Sequence, residues 1–328
     1  MRRALPIVSG KVIAVLRFMR FLHARLSYGL LLMLALGSPD VTAKPGADSQ
    51  PVQVQMKNVA FHVDEDTVLN VNRLRGALVS TRPGAPPVFD DKNSFIVRID
   101  SAEIAMTADS LTRLMNGYVL KDAGAPLRDV QIGIGGGQLT IKGKLRKGVT
   151  LPFTLAATPS VDRGNLRLHP TSVKALGIPV KKLMSLFHVE LNGLVKLEGA
   201  RGMRVDGDDF VLEPGALVPP PRIEGQLQSV RVEQDRLVQI FGPGHQSPLN
   251  PPEPKGNYMY YRGGTLRFGK LTMTDADMEL IDPNPADPFD FFQQRYNVQL
   301  VAGYSKNTPS LGLKVYMPDY YRVKSAGP

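Results

Sequence analysis

The chain has 328 residues, 43% of them hydrophobic, and a formal net charge of +10. This excludes wholesale disorder and allows one large domain or two small ones. There is no cysteine, which excludes disulfides, thiolate chemistry, Cys-based zinc sites and a lipoprotein anchor.

Residues 1–43 read as an export signal. Leu26–Leu36 is an uncharged apolar run behind Arg17, Arg20 and Arg25, and Val41-Thr42-Ala43 supplies the small residues of a cleavage site. The run falls short of the roughly 20 apolar residues of a spanning helix. Met19 is an alternative start. Cleavage after Ala43 removes six Lys/Arg and one acid and halves the charge to +5. That mild bias suits an anionic membrane surface and is weak as a sign of nucleic-acid binding. The expected location is the periplasm or cell envelope; an uncleaved signal would leave the chain anchored to the inner membrane.

Residues 44–51 form a flexible leader. Val52–Met56 then alternates apolar and polar, as do Val59, Phe61 and Val63, the pattern of strands with one wet face. Arg82–Val88 is a loop, and Ser94–Met106 is strand. Ala108–Leu120 carries Leu111, Leu114, Met115, Tyr118 and Val119 at helical spacing. Val130–Ile134 and Gln138–Ile141 flank Gly135-Gly136-Gly137, a hairpin signal. A strand follows these glycines, so they are not a dinucleotide loop, which needs a helix there. Leu151–Ala157 continues the sheet. Thr171–Phe187 reads as a helix broken at Gly177-Ile178-Pro179, with Val180, Leu183, Met184 and Phe187 on one face.

Strands are expected at Val189–Leu197, Arg204–Leu212 and Gln226–Val232, and a short helix at Gln234–Phe241 ending on Gly242. Residues 243–256 are rich in Pro and Gly and read as a linker. It closes a domain spanning 52–242. Residues 257–328 form a β-rich tail with strands at Thr265–Phe268, Leu271–Ile281, Asn297–Tyr304 and Ser310–Met317. Pattern alone does not decide whether that tail makes its own sheet or extends the first.

One motif recurs. Ile104-Ala105-Met106 with Asp109, Leu111, Leu114 and Met115 is matched at an offset of 126 by Val230-Arg231-Val232 with Asp235, Leu237, Ile240 and Phe241. A weaker copy, Leu166–Leu168 with Thr171, Val173 and Leu176, lies between them. Each copy switches from period 2 to about 3.6, a strand passing into a short helix. The expected fold is therefore α+β: a twisted antiparallel sheet packed on short amphipathic helices, with a β-rich C-terminal segment.

Catalytic signatures are weak. His62, His169, His188 and His245 show no metal spacing, and no nucleophile elbow or HExxH is present. His169 before Pro170 suggests a helix cap. Asp275, Asp277 and Glu279 alternate with apolar residues and read as a solvated strand face, without the spacing of a calcium loop. Tyr258, Tyr260, Tyr261, Tyr316, Tyr320 and Tyr321 fit exposed strands, or surfaces that stack sugars or meet a membrane interface. The chain is expected to be no enzyme and to need no cofactor and no metal.

Ile104–Val119, Val130–Leu145 with its glycine hairpin, and Leu166–Phe187 together resemble the LmeA-like family of phospholipid-binding envelope proteins, and more distantly the tubular lipid-binding superfamily. The resemblance implies an exported protein with a twisted antiparallel sheet wrapped over helices and no catalytic motif. Beside it, the helix stripes define an apolar surface that suits either a groove or a dry core: Leu111, Leu114, Met115, Tyr118, Leu183, Met184, Phe187, Leu237, Ile240 and Phe241. In the groove reading these residues hold the acyl chain of a phospholipid or other lipid, possible transfer included, and Lys181 and Lys182 are candidates for the headgroup or for a solvated helix face. The partners are then lipid and a membrane surface, with no nucleic acid. The alternative is a structural or assembly protein with a dry core, whose β-rich tail docks a protein partner. A hydrolase of envelope polymers is a third reading.

Overall fold

The computed structural model describes residues 50–326 apart from 66, 123, 126, 148, 176–177, 180–199 and 244–246. The predicted export signal, most of the leader, and the positions of Lys181, Lys182, Leu183, Met184 and Phe187 lie outside the described residues. No helix among the described residues is long and apolar enough to cross a membrane.

In chain order the strands are β1 (Val52–His62), β2 (Val68–Ser80), β3 (Phe95–Thr107), β4 (Leu127–Gly135), β5 (Gln138–Lys147), β6 (Val149–Asp162) and β7 (Asn165–Ala175). They continue as β8 (Ile178–Pro179), β9 (Met203–Asp206), β10 (Asp209–Leu212), β11 (Arg222–Glu224), β12 (Leu227–Glu233), β13 (Arg236–Phe241) and β14 (Tyr258–Arg262). The last are β15 (Thr265–Phe268), β16 (Leu271–Thr274), β17 (Asp277–Ile281), β18 (Phe289–Phe292), β19 (Tyr304–Asn307) and β20 (Leu313–Tyr316). The first sheet runs β12-β13-β3-β2-β1-β14-β17-β20-β19, with β11 beside β3 and β18 beside β1. The second runs β4-β5-β6-β7-β10-β9, with β8 on β7. Pairing is antiparallel except where β11, β18 and β20 join the first sheet.

The chain is therefore mostly β. Where helices were expected against the first sheet, a second sheet faces it: β12 packs on β6, β4 and β7. The main helix at this face is α1 (Ala108–Leu114), which continues into a wider turn at Met115–Val119. Thr107 caps it, its hydroxyl accepting from the Ser110 N–H at 3.2 Å. The Asn116 side chain bonds both backbone groups of Val130, at 2.7 and 3.0 Å, and Thr112 accepts from the Ile132 N–H at 2.9 Å. The helix thus satisfies part of the edge of β4 and is fixed in place by doing so.

The two other expected helices of the repeat are strands in the described residues. Gln234–Phe241 forms a tight turn, with Gln234 at φ 49°, followed by β13. Leu237 pairs with Met106, Gln239 with Ile104 and Phe241 with Ala102. Leu237, Ile240 and Phe241 fit a helix stripe, but Leu237 and Phe241 also fit period 2, and the free edge of β3 selects the strand. Gly242 does end the element, for a different reason. It sits at φ 65°, and a Cβ there would lie 1.8 Å from the Asp100 carbonyl oxygen. Thr171–Ala175 likewise completes β7 against β6. Pro170 is accommodated where the register shifts, a position at which its missing N–H breaks no ladder. The strand-to-helix repeat is accordingly not a repeat in the fold.

The glycine hairpin forms as expected: Gly136 and Gly137 take φ 58° and 74° between β4 and β5. The tail extends the first sheet, β14 pairing with β1 along Gln53–Lys57. The stretch expected to be a linker is tied to that sheet. Leu249 N–H donates to Gln55 at 2.8 Å, and the Pro254 carbonyl accepts from Lys57 at 3.0 Å. Asn297–Tyr304, expected as strand, is mostly helix, Tyr296–Ala302.

Candidate functional site

The two sheets do not close completely. Between β13, β3 and β2 on one side and β4–β7 with β9 and β10 on the other lies a cavity of about 260 Å³. For scale, an engineered apolar cavity of about 150 Å³ stays dry and takes up benzene. The first sheet contributes Ile104, Met106, Leu237, Gln239 and Phe241, and the second contributes Ile141, Phe153, Leu155, Leu168 and Phe210. Helix α1 closes one side with Leu111, Leu114 and Met115, and Pro214, Leu217 and Val218 form another wall. Among these lining residues Gln239 is the one polar side chain.

The alternation of each strand explains the lining. On β5, Leu139, Ile141 and Leu145 point inward while Thr140, Lys142, Lys144 and Arg146 point out. On β13, Leu237, Gln239 and Phe241 face the cavity and Ile240 faces away. Exposure rises along the β5–β6 ladder. Leu139, Leu155 and Ala157 are buried, whereas Ile141, Leu145, Leu151 and Phe153 are half-buried. Among the described residues the cavity is thus least covered toward the Leu145–Leu151 end.

Of the residues picked out by the helix stripes, Leu111, Leu114, Met115, Leu237 and Phe241 converge on this space. Tyr118 does not line it; its ring is half-buried under the Arg201 guanidinium, 4.8 Å from the ring centre. Ile240 is on the opposite face of β13. The walls from β5, β6, β7 and β10 were missed as site residues, although their alternating apolar positions were legible as strand.

A shallow depression of about 390 Å³ adjoins the cavity and shares Leu127 and Val130 with it. Three of its polar side chains have structural work. Asn116 and Thr112 hold β4, and Arg128 donates to the Asp122 carbonyl at 3.0 Å.

Other chemically notable groups do not line the cavity. His62 Nε2 lies 2.5 Å from Asp290 Oδ1, and His169, expected as a helix cap, instead bonds Asp209 at 2.7 Å from within β7. Asp275–Glu279 is not a wet face throughout. Asp277 pairs with Arg262 at 2.7 Å and accepts from the Tyr260 hydroxyl at 2.8 Å. Glu279 is fully buried and accepts from the Glu253 N–H at 2.9 Å. Burial pushes the Glu279 carboxyl up to about 7 against the hydrogen bond from the Glu253 N–H, which lowers it, and burial lifts Asp319 to about 6. Hydrogen bonds from Lys314 and Tyr316 hold Glu253 below its usual range. No group of three metal-ligating side chains occurs among the described residues. Tyr258, Tyr260, Tyr261, Tyr316 and Tyr320 are buried, and Tyr321 is exposed.

Comparison with known proteins finds no matching family model, no matching curated protein and no matching solved structure.

Proposed function

We propose that this chain is a non-catalytic lipid-binding protein of the cell envelope that holds an acyl chain between its two sheets, in the manner of the LmeA-like proteins its sequence resembles. The observation that carries the reading is the cavity itself, with a single amide among otherwise apolar described lining residues. Such a space has nothing to offer a sugar, a nucleotide or an ion, because a polar ligand would leave its hydrogen bonds unmade there. A methylene chain gains about 0.8 kcal/mol per buried group. About fourteen methylenes give ~11 kcal/mol gross, against an association cost of about 4–15 kcal/mol. The balance favours reversible carriage over permanent retention, as transfer requires. Export through residues 1–43 belongs to the same reading. Gln239 is the natural contact for the ester or carboxyl end of a lipid that enters deeply.

Lipid extraction on purified wild type and on Ala175→Phe tests this. The larger side chain occupies the cavity, so bound lipid should fall several-fold while the unfolding midpoint holds or rises. Wild type free of lipid that also takes up no fluorescent fatty acid would refute the proposal. The assembly reading has one observation in its favour. Strand β19 is an edge strand with all four residues exposed, near Val301 at 86% and Leu311 at 89% exposure. An edge of that kind is able to accept a partner strand.

A further inference from the structure

The outer face of the second sheet carries a concentration of positive charge at the end where the cavity is least covered. Lys142, Lys144 and Arg146 are exposed on β5, and Lys174 is exposed on β7. Lys142 and Lys174 share one row across the sheet, each paired with Thr154 of the strand between them. Strand geometry spaces the β5 cations about 7 Å apart and sets Lys174 about 10 Å to the side. The four charges therefore lie within about one or two screening lengths of one another and act together. Acidic side chains are scarce here: β5 and β7 carry none, and β6 has only Asp162, at its far end.

Several cations elsewhere on the molecule are paired with acids. Arg73 pairs with Glu103 at 2.8 Å, Arg262 with Asp277 at 2.7 Å and Arg82 with Asp91 at 2.6 Å. On the second sheet Lys144 meets Asp129 at 2.7 Å, but Lys142, Arg146 and Lys174 have no ion-pair partner among the described residues. On the reverse side of the same ladder stand the half-buried Ile141, Leu145, Leu151 and Phe153.

We propose that this end of the second sheet docks on an anionic lipid bilayer, Lys142, Arg146 and Lys174 meeting lipid phosphates while the uncovered end of the cavity faces the acyl layer. The role of the cavity in this arrangement rests on the lipid-binding reading above; the charge complementarity does not. A solvated cationic patch with one acid, Asp129 beside Lys144, keeps a net positive charge and is attracted to the negative surface of such a bilayer, and each Lys or Arg near it strengthens binding about fivefold. The orientation gives a lipid a route from bilayer to cavity that stays out of water.

The test is co-sedimentation of the protein with vesicles of phosphatidylcholine alone or mixed with phosphatidylglycerol. Wild type should bind the mixed vesicles and lose them at high salt. The Lys142→Gln/Arg146→Gln/Lys174→Gln variant should bind them about a hundredfold more weakly. A control that removes equal charge elsewhere, Arg222→Gln/Arg236→Gln/Lys270→Gln, should bind as wild type. Equal binding to both vesicles, equal losses in the two triple variants, or a preference for duplex DNA over anionic vesicles would overturn the docking face. Uptake of a fluorescent fatty acid without vesicles is read separately and should be unchanged in both variants. Protein that sediments correctly but takes up no fatty acid refutes the cargo and leaves the docking face standing. Protein that takes up fatty acid but ignores lipid charge refutes the docking face alone.

Discussion

The two ends of the first sheet share one inner face and use it in opposite ways. At the β14–β17 end the space beneath is filled by rings. Phe89 stacks on Phe268 at 4.7 Å and meets Tyr296 at 5.5 Å and Tyr261 and Phe291 at 6.0 Å. Phe289, Phe291, Met259, Met278 and Leu280 have essentially no exposure. At the β13–β3 end the same face looks across about 260 Å³ of unfilled space at a second sheet of Leu, Ile and Val. Packing to native density is the default for a protein interior. Among the described residues one end of this face is left open while its neighbour is closed by large aromatics, and the lipid-binding proposal rests on that contrast.

The sharpest way to break this contrast is truncation at each end. Phe291→Ala should cost about 3–5 kcal/mol, because the surrounding rings leave a cavity that cannot collapse. Phe210→Ala, on the wall of an existing void, should cost about 1–2 kcal/mol, since its side chain has fewer atoms to lose contact with. Denaturant melts of the two variants measure the difference, and equal costs would show that both ends are packed alike.

The second effect is electrostatic and belongs to the closed end alone. Glu279 is raised to about 7 from an ordinary value of 4.5 by its burial. The folded state therefore holds this proton more tightly than the unfolded chain. The stability it contributes is full below about pH 4.5 and is lost as pH rises through 7, by up to ~3 kcal/mol. Asp319, raised to about 6, acts in the same direction. Glu279→Gln should flatten most of this slope and melt above wild type at pH 8. A slope of the opposite sign, or a variant as pH-dependent as wild type, would remove Glu279 from the account.

The third effect is the smallest. Enlarging a side chain in a filled core costs about 1–3 kcal/mol. Fully buried Ala276→Leu should lie in that range. Ala175→Leu, on the cavity wall, should change stability by under about 0.5 kcal/mol or raise it, because it replaces void with contacts. Thermal melts with and without added fatty acid separate filling from displacement.

Much of the scaffold was legible because local pattern and tertiary context agree. Helix α1 has a cap and an apolar stripe, and the β4–β5 turn has two glycines at positive φ. Misreadings arose where one spacing serves two periods. Leu237, Ile240 and Phe241 satisfy a helix, yet the Met106–Ala102 edge of β3 makes them strand. Glu279 read as wet because its covering is remote in sequence: Glu253 and Leu249 are laid across β14 by bonds to Glu279 and Gln55. The tail's membership of the first sheet depends on β1, whose partner Tyr258 lies some 200 residues later. The cavity was the hardest to read. An inward Leu looks the same whether it touches another side chain or a void, so Phe153, Leu155, Leu168 and Phe210 were legible as strand residues and not as site.

Native mass spectrometry of the folded protein, purified from cells without delipidation, tests the central claim most directly. The account predicts a population heavier than the bare chain by one acyl lipid, released on mild activation and absent from Ala175→Phe. A spectrum of bare chain alone, unchanged after incubation with phospholipid vesicles, would contradict it and leave a dry, unfilled core.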